Sequence, residues 1–142
     1  MQLTGRCLCE AVQFSTQADN AKVLVCHCED CRRSSGSLLH VGVLVPREGF
    51  SVDGDVRAFT KASDEGRPIV RRFCAICGSG LWNELAHLPD KLMLKAGSLD
   101  AIPDHLAPDV EIFTTRKSGW LDVMPAKATF AKGSGGKLQV NQ

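Results

Sequence analysis

Apolar and polar residues alternate over short stretches of this chain, and runs at helical spacing are scarce. Ala11–Thr16 alternates with the period of a half-buried strand. Lys22–Cys26 is short and β-branched. Ser37–Val45 carries Leu38, Leu39, Val41, Val43, Leu44 and Val45 and stops at Pro46. Ile69–Phe73 and Leu81–Trp82 read as short strands, and Lys91–Lys95 and Val110–Thr114 alternate again. Asp53-Gly54-Asp55 reads as a hairpin-like turn between Phe50–Val52 and Val56–Phe59. The best helical stretch is Glu29–Ser34, closed by Gly36. Ala62–Arg67 is polar and contains glycine, which predicts a loop. No repeat and no linker divides the chain. The expectation is one mainly-β domain with little helix over residues 1–131, followed by a loose tail over residues 132–142.

Composition narrows the partners. A chain of 142 residues is long enough for a real core. Its 17 basic and 16 acidic residues leave a net charge of +1, against a general nucleic-acid surface. Six Phe, two Trp and no Tyr offer few bases a stacking partner. No apolar run approaches the roughly 18 residues a membrane span needs, and the first residues lack the apolar core of a signal peptide. The expected location is cytoplasmic.

A reducing compartment changes the meaning of the seven cysteines, because tight clusters there favour metal over disulfides. They fall as Cys7-Leu8-Cys9, Cys26-His27-Cys28-Glu29-Asp30-Cys31 and Cys74-Ala75-Ile76-Cys77. Four thiolates close a structural zinc site, and three leave a position open. Seven therefore suggests two zincs per chain, one sealed and one reactive. Cys74-x-x-Cys77-Gly78 is the spacing of a zinc knuckle; a thioredoxin-like redox reading lacks its βαβ context. Cys7 and Cys9 are two apart on an extended segment and share a face; the bland alternative is two packed small hydrophobes. Cys26, Cys28 and Cys31 can wrap one metal within six residues. Spacing leaves open which cysteines meet: Cys7 and Cys9 could join either of the other clusters.

Several neighbours invite roles. His27, in an extended segment, points away from the adjacent sulfurs, which favours a polar contact over ligation. His40, His87 and His105 read as surface or core residues. Arg32 and Arg33 could offset negative charge or grip a substrate carboxylate, or simply form a solvated helix face. Glu29, Asp30 and His27 are the candidate bases. A zinc with three thiolates is formally −1, a poor source of hydroxide but well matched to an incoming soft thiol. No H-E-x-x-H or H-x-E motif supports a peptidase or deaminase.

Gly5-Arg-Cys-Leu-Cys9, Cys26-His-Cys-Glu-Asp-Cys-Arg32 with Gly36, Arg72-Phe-Cys-Ala-Ile-Cys-Gly78, Lys95-Ala-Gly-Ser-Leu-Asp100 and Trp120-Leu121 together resemble the glutathione-dependent formaldehyde-activating enzyme family, which includes centromere protein V. The resemblance runs from about Thr4 to about Trp120. It implies a β-tent fold of small antiparallel sheets clasping zinc. It also implies a structural zinc on Cys7, Cys9, Cys74 and Cys77 and a second, catalytic zinc on Cys26, Cys28 and Cys31. The implied reaction is carbon–sulfur lyase chemistry, in which glutathione's thiol adds to formaldehyde or leaves its adduct. Glu10 departs from the pattern, which usually has glycine there. The competing reading is a non-catalytic scaffold of the same fold.

Overall fold

The computed structural model describes residues 1–122 and 126–135. Among the described residues, besides two short 3-10 turns (Ala96–Ser98 and Thr114–Arg116), eleven strands and one α-helix follow in order: β1 (Gln2–Arg6), β2 (Gln13–Gln17), β3 (Lys22–Cys26), α1 (Glu29–Ser35), β4 (His40–Pro46), β5 (Ser51–Asp53), β6 (Val56–Ala62), β7 (Pro68–Cys74), β8 (Gly80–Leu85), β9 (Lys91–Lys95), β10 (Val110–Ile112) and β11 (Ala128–Thr129). The mainly-β class is borne out. The strands form a three-stranded sheet, β1-β2-β5, and an eight-stranded sheet, β11-β10-β3-β4-β9-β8-β7-β6. Pairing is antiparallel except at β10, which runs parallel to both β3 and β11.

The central strands of the larger sheet are covered on both faces. Successive side chains of a strand point to opposite sides, and β4 and β9 use both: Val43, Val45, Leu92 and Leu94 enter one core, Leu44 and Met93 the other. The alternation expected for Lys91–Lys95 thus gives way to burial of Leu92, Met93 and Leu94 together, as a central strand with two covered faces demands. The first core lies between the sheets. Leu3, Val12 and Phe14 of the smaller sheet's side pack there with Cys7 and Cys74, and Phe50 bridges Phe14 and Trp82 at ring-centroid distances of 5.7 and 4.9 Å. The second core gathers Leu24, Leu44, Leu85, Met93 and Ile112 around Cys26 and Cys31. The two cysteine-rich regions thus sit on opposite faces of one sheet.

The expected hairpin at Asp53-Gly54-Asp55 does not form. β5 pairs with β2 and β6 with β7, so the chain leaves one sheet for the other at Gly54. Gly54 has φ 111°, and a Cβ there would meet Ala11 O and Val12 Cα, so this crossing accepts only glycine. β1 was not expected; its single buried pair, Leu3 and Gly5, gives little apolar signal. The predicted loop at Ala62–Arg67 is the tight turn joining β6 and β7, closed by Gly66 N–H to Ser63 O at 2.8 Å. Of the tail expected from residue 132, positions 136–142 lie outside the described residues. Lys132 accepts a backbone bond from Phe113 N–H at 2.9 Å, and Ser134 is buried.

Candidate metal centres

Cys7 and Cys9 sit in the β1–β2 loop, Cys74 ends β7 and Cys77 lies in the β7–β8 turn, and the fold brings all four sulfurs within 4.8 Å of one another. Sequence spacing had left this pairing open. Cys7 Sγ to Cys9 Sγ is 3.5 Å and Cys9 Sγ to Cys74 Sγ is 3.8 Å. Tetrahedral thiolates with zinc–sulfur bonds of about 2.3 Å lie ~3.8 Å apart, so the donor set fits zinc. Backbone N–H groups already point at these sulfurs: Val12 to Cys7 at 3.2 Å, Ile76 and Cys77 to Cys74 at 3.3 and 3.4 Å. Such donors suit thiolates. Hydrogen bonds from Ser79 hold the Cys77 thiol down at about 5. Gly78 follows at φ 76°, as the knuckle spacing predicts, and Glu10 occupies the same left-handed region at φ 67°. The glutamate thus adopts the backbone shape that a glycine would take freely.

The second cluster is local. Cys26 ends β3, and Cys28 is the N-cap of α1, its sulfur accepting from Cys31 N–H at 3.3 Å. Glu29 and Asp30 fill the first helical turn, and Gly36, at φ 69°, closes the helix with its N–H on Arg32 O. The three sulfurs lie within 4.8 Å of one another, and no fourth Cys, His, Asp or Glu among the described residues joins them. Cys26 and Cys31 are buried, Cys28 half-buried. Hydrogen bonds from Cys26 and Cys31 pull the Cys28 thiol far below its ordinary value, aided by the Cys31 N–H and the charge of Arg71. Bonding to Cys28 and Cys31, together with burial, pushes Cys26 far up. All seven cysteines are free of disulfides.

His27 behaves as its extended setting predicts. Its ring leaves the cluster and meets Glu111 of β10 at 2.7 Å, both side chains buried. The other expected neighbours separate. Arg33 pairs with Glu29 at 2.9 Å on an exposed helix face, and Arg32 is exposed. Asp30 lines the cavity beside the cluster and pairs with Lys61 at 2.6 Å.

That cavity, about 110 Å³, contains groups the sequence did not single out. Leu24, Leu85, Met93 and Ile112 give it apolar walls, and Arg71, Asn83 and His40 give it polar ones. Burial, reinforced by the charge of Lys95, holds the His40 imidazole neutral, down at about 3. A legible signal was present: Asn83 follows Leu81-Trp82 and precedes Leu85 in a strand buried on both faces, where an uncharged polar residue needs a reason.

Together, these features define a small mainly-β domain with two cysteine groups, on opposite faces of one sheet, that could hold metal ions. The glutathione-dependent formaldehyde-activating enzyme family profile matches residues 2–116, and the chain belongs to that family. A crystal structure of a Rhodobacter sphaeroides protein shares the fold: TM-score 0.55 at 17% identity, covering 72% of this chain and 92% of that one. No curated protein sequence matches significantly. Among the described residues no helix is long and apolar enough to cross a membrane.

Proposed function

We propose that the chain is a zinc-dependent carbon–sulfur lyase. It joins the thiol of glutathione, or a similar thiol, to formaldehyde or another small aldehyde, and reverses the reaction. Cys7, Cys9, Cys74 and Cys77 hold a structural zinc, and Cys26, Cys28 and Cys31 hold the catalytic one. The observation that carries this reading is the three-thiol cluster without a fourth donor among the described residues, opening on a small cavity. A scaffold site closes its coordination sphere; this one leaves room for a thiol.

Zinc held by Cys26, Cys28 and Cys31 would supply Lewis acidity that lowers the pKa of an incoming thiol so that it ionises at neutral pH. The chain's own residues do the rest. In the addition, the S–C bond forms from the thiol's electron pair and the S–H proton ends on the carbonyl oxygen, so no oxidant or reductant is consumed. Three carboxylates line the cavity, Asp30, Asp64 and Glu65; Asp30, which lies between Cys28 and Cys31 in the chain, is the one assigned to carry that proton. Leu24, Leu85, Met93 and Ile112 keep bulk water from the reacting carbon. A 110 Å³ cavity is far below the about 300–1,000 Å³ of whole-ligand pockets. It takes the sulfur, one carbon and its oxygen, and the rest of a tripeptide lies outside.

The test is exchange spectroscopy on ¹³C-formaldehyde with glutathione. Catalytic amounts of protein should speed exchange between hydrated formaldehyde and the S-hydroxymethyl adduct, and Cys28→Ser should return it to the spontaneous rate. Wild-type protein that leaves the rate unchanged refutes the lyase.

A further inference from the structure

Four buried side-chain atoms of the described residues have no hydrogen-bond partner: His27 Nδ1, His40 Nε2, Arg71 Nε and Asn83 Oδ1. Three of the four residues line the cavity beside Cys26, Cys28 and Cys31. His40, Asn83 and Arg71 are only 6%, 5% and 9% exposed. An unmet polar group at such depth is costly to the fold. Arg71 has no carboxylate within 4 Å among the described residues, so its buried Nε–H has no protein acceptor. Their concentration at one place marks a site awaiting a polar ligand.

The sheet fixes how two of them stand. Arg71 of β7 is the direct cross-strand partner of Asn83 of β8, and Asn83 is the partner of Met93 of β9. Directly opposed residues hold their Cβ atoms about 4.5–5.5 Å apart on the same face. That face is the one bearing Leu44 and Met93 with the three cysteines. One small group between Arg71 and Asn83 can therefore meet both.

The chemistry of the pair selects the group. Arg71 Nε–H only donates, and Asn83 Oδ1 only accepts. A free aldehyde oxygen or a carboxylate accepts from arginine and leaves the amide oxygen unmet. A hydroxyl accepts from one and donates to the other. We infer that Arg71 and Asn83 form a hydroxyl-reading pair that positions the alcohol of a small hydroxyalkyl-sulfur adduct beside the three-cysteine cluster. The inference rests on the thiol reading above and goes beyond it: the adduct is favoured over its two components, and Arg71 and Asn83 are positioning residues.

A charge-balancing arginine would affect every thiol alike, so the test is a ratio. The full chain is loaded with cobalt(II), and 2-mercaptoethanol and ethanethiol are titrated while the thiolate-to-cobalt absorption is followed. Both thiols bring one sulfur, and only the first brings a hydroxyl. Asn83→Leu should reduce the preference for 2-mercaptoethanol by on the order of tenfold relative to wild type, at unchanged cobalt stoichiometry. Arg71→Met should do the same whatever it does to ethanethiol, and decides the matter if Asn83→Leu fails to fold. A ratio unchanged from wild type in the folded variants overturns the pair while leaving the lyase standing. If neither thiol perturbs the wild-type cobalt spectrum, the thiol reading falls and the pair with it.

Discussion

Removing one ligand from each cysteine cluster should have unequal consequences for stability. The four-cysteine cluster ties the β1–β2 loop to the β7–β8 turn, with Cys9 and Cys74 65 residues apart. In the three-cysteine cluster the outermost pair, Cys26 and Cys31, lies only five positions apart. A clip's effect on the unfolded chain grows as (3/2)RT ln n with the span it closes, which favours the long clip by about 2 kcal/mol. Cys77 is exposed, so Cys77→Ser disturbs no core packing of its own, and Cys28 is half-buried at a helix cap. For a chain of this size, about 2 kcal/mol corresponds to a Tm gap of about 5–10 °C. Calorimetry on Cys77→Ser and Cys28→Ser, each with its zinc content measured, should show Cys77→Ser melting lower by that amount. It should also show Cys28→Ser retaining one zinc and a cooperative transition. Equal melting points, or a lower one for Cys28→Ser, would refute the assignment of the long-range cluster as the staple.

Three further outcomes follow from individual residues. Glu10→Gly should stabilise the fold by up to about 1 kcal/mol in urea unfolding, because it relieves a left-handed non-glycine backbone and loses only an exposed pair with Arg6. Glu111→Leu should destabilise by about 1–3 kcal/mol and quicken zinc loss to a chelator, because it strands the buried His27 ring beside Cys26 and Cys28. For Glu84, burial raises the carboxyl but is outweighed by Arg72 and Arg47, at 2.8 and 3.0 Å, so its pKa is lowered on folding. A lowered carboxyl contributes stability above its unfolded pKa and loses it as pH falls through the folded one. Glu84→Gln should therefore cost stability at pH 7 and match wild type in denaturant midpoint near pH 2.

The parts of the fold legible in the sequence were those where apolar residues crowd a central strand. β3 and β9 match their expected limits, and α1 carries the expected stop at Gly36. β1 was hidden because its buried face amounts to Leu3 and Gly5. The turn at Gly54 misled because glycine between two short strands looks the same whether the strands pair or part; only the closeness of Ala11 and Val12 separates the cases. The cysteine clusters were legible one by one, but spacing left their pairing open and only the family resemblance implied it; the fold brings residues 7 and 9 to 74 and 77. The expected cations Arg32 and Arg33 face outward, and Arg71 faces in, because strand pleat rather than nearness in sequence decides which side chain reaches the cavity.

The central claim is that the metal on Cys26, Cys28 and Cys31 keeps one position for a thiol. A crystal of the zinc-loaded protein soaked with glutathione tests it most directly. The predicted result is the glutathione sulfur about 2.3 Å from that zinc, and none on the zinc of Cys7, Cys9, Cys74 and Cys77. A fourth protein side chain on the three-cysteine zinc, with glutathione elsewhere or absent, would contradict it.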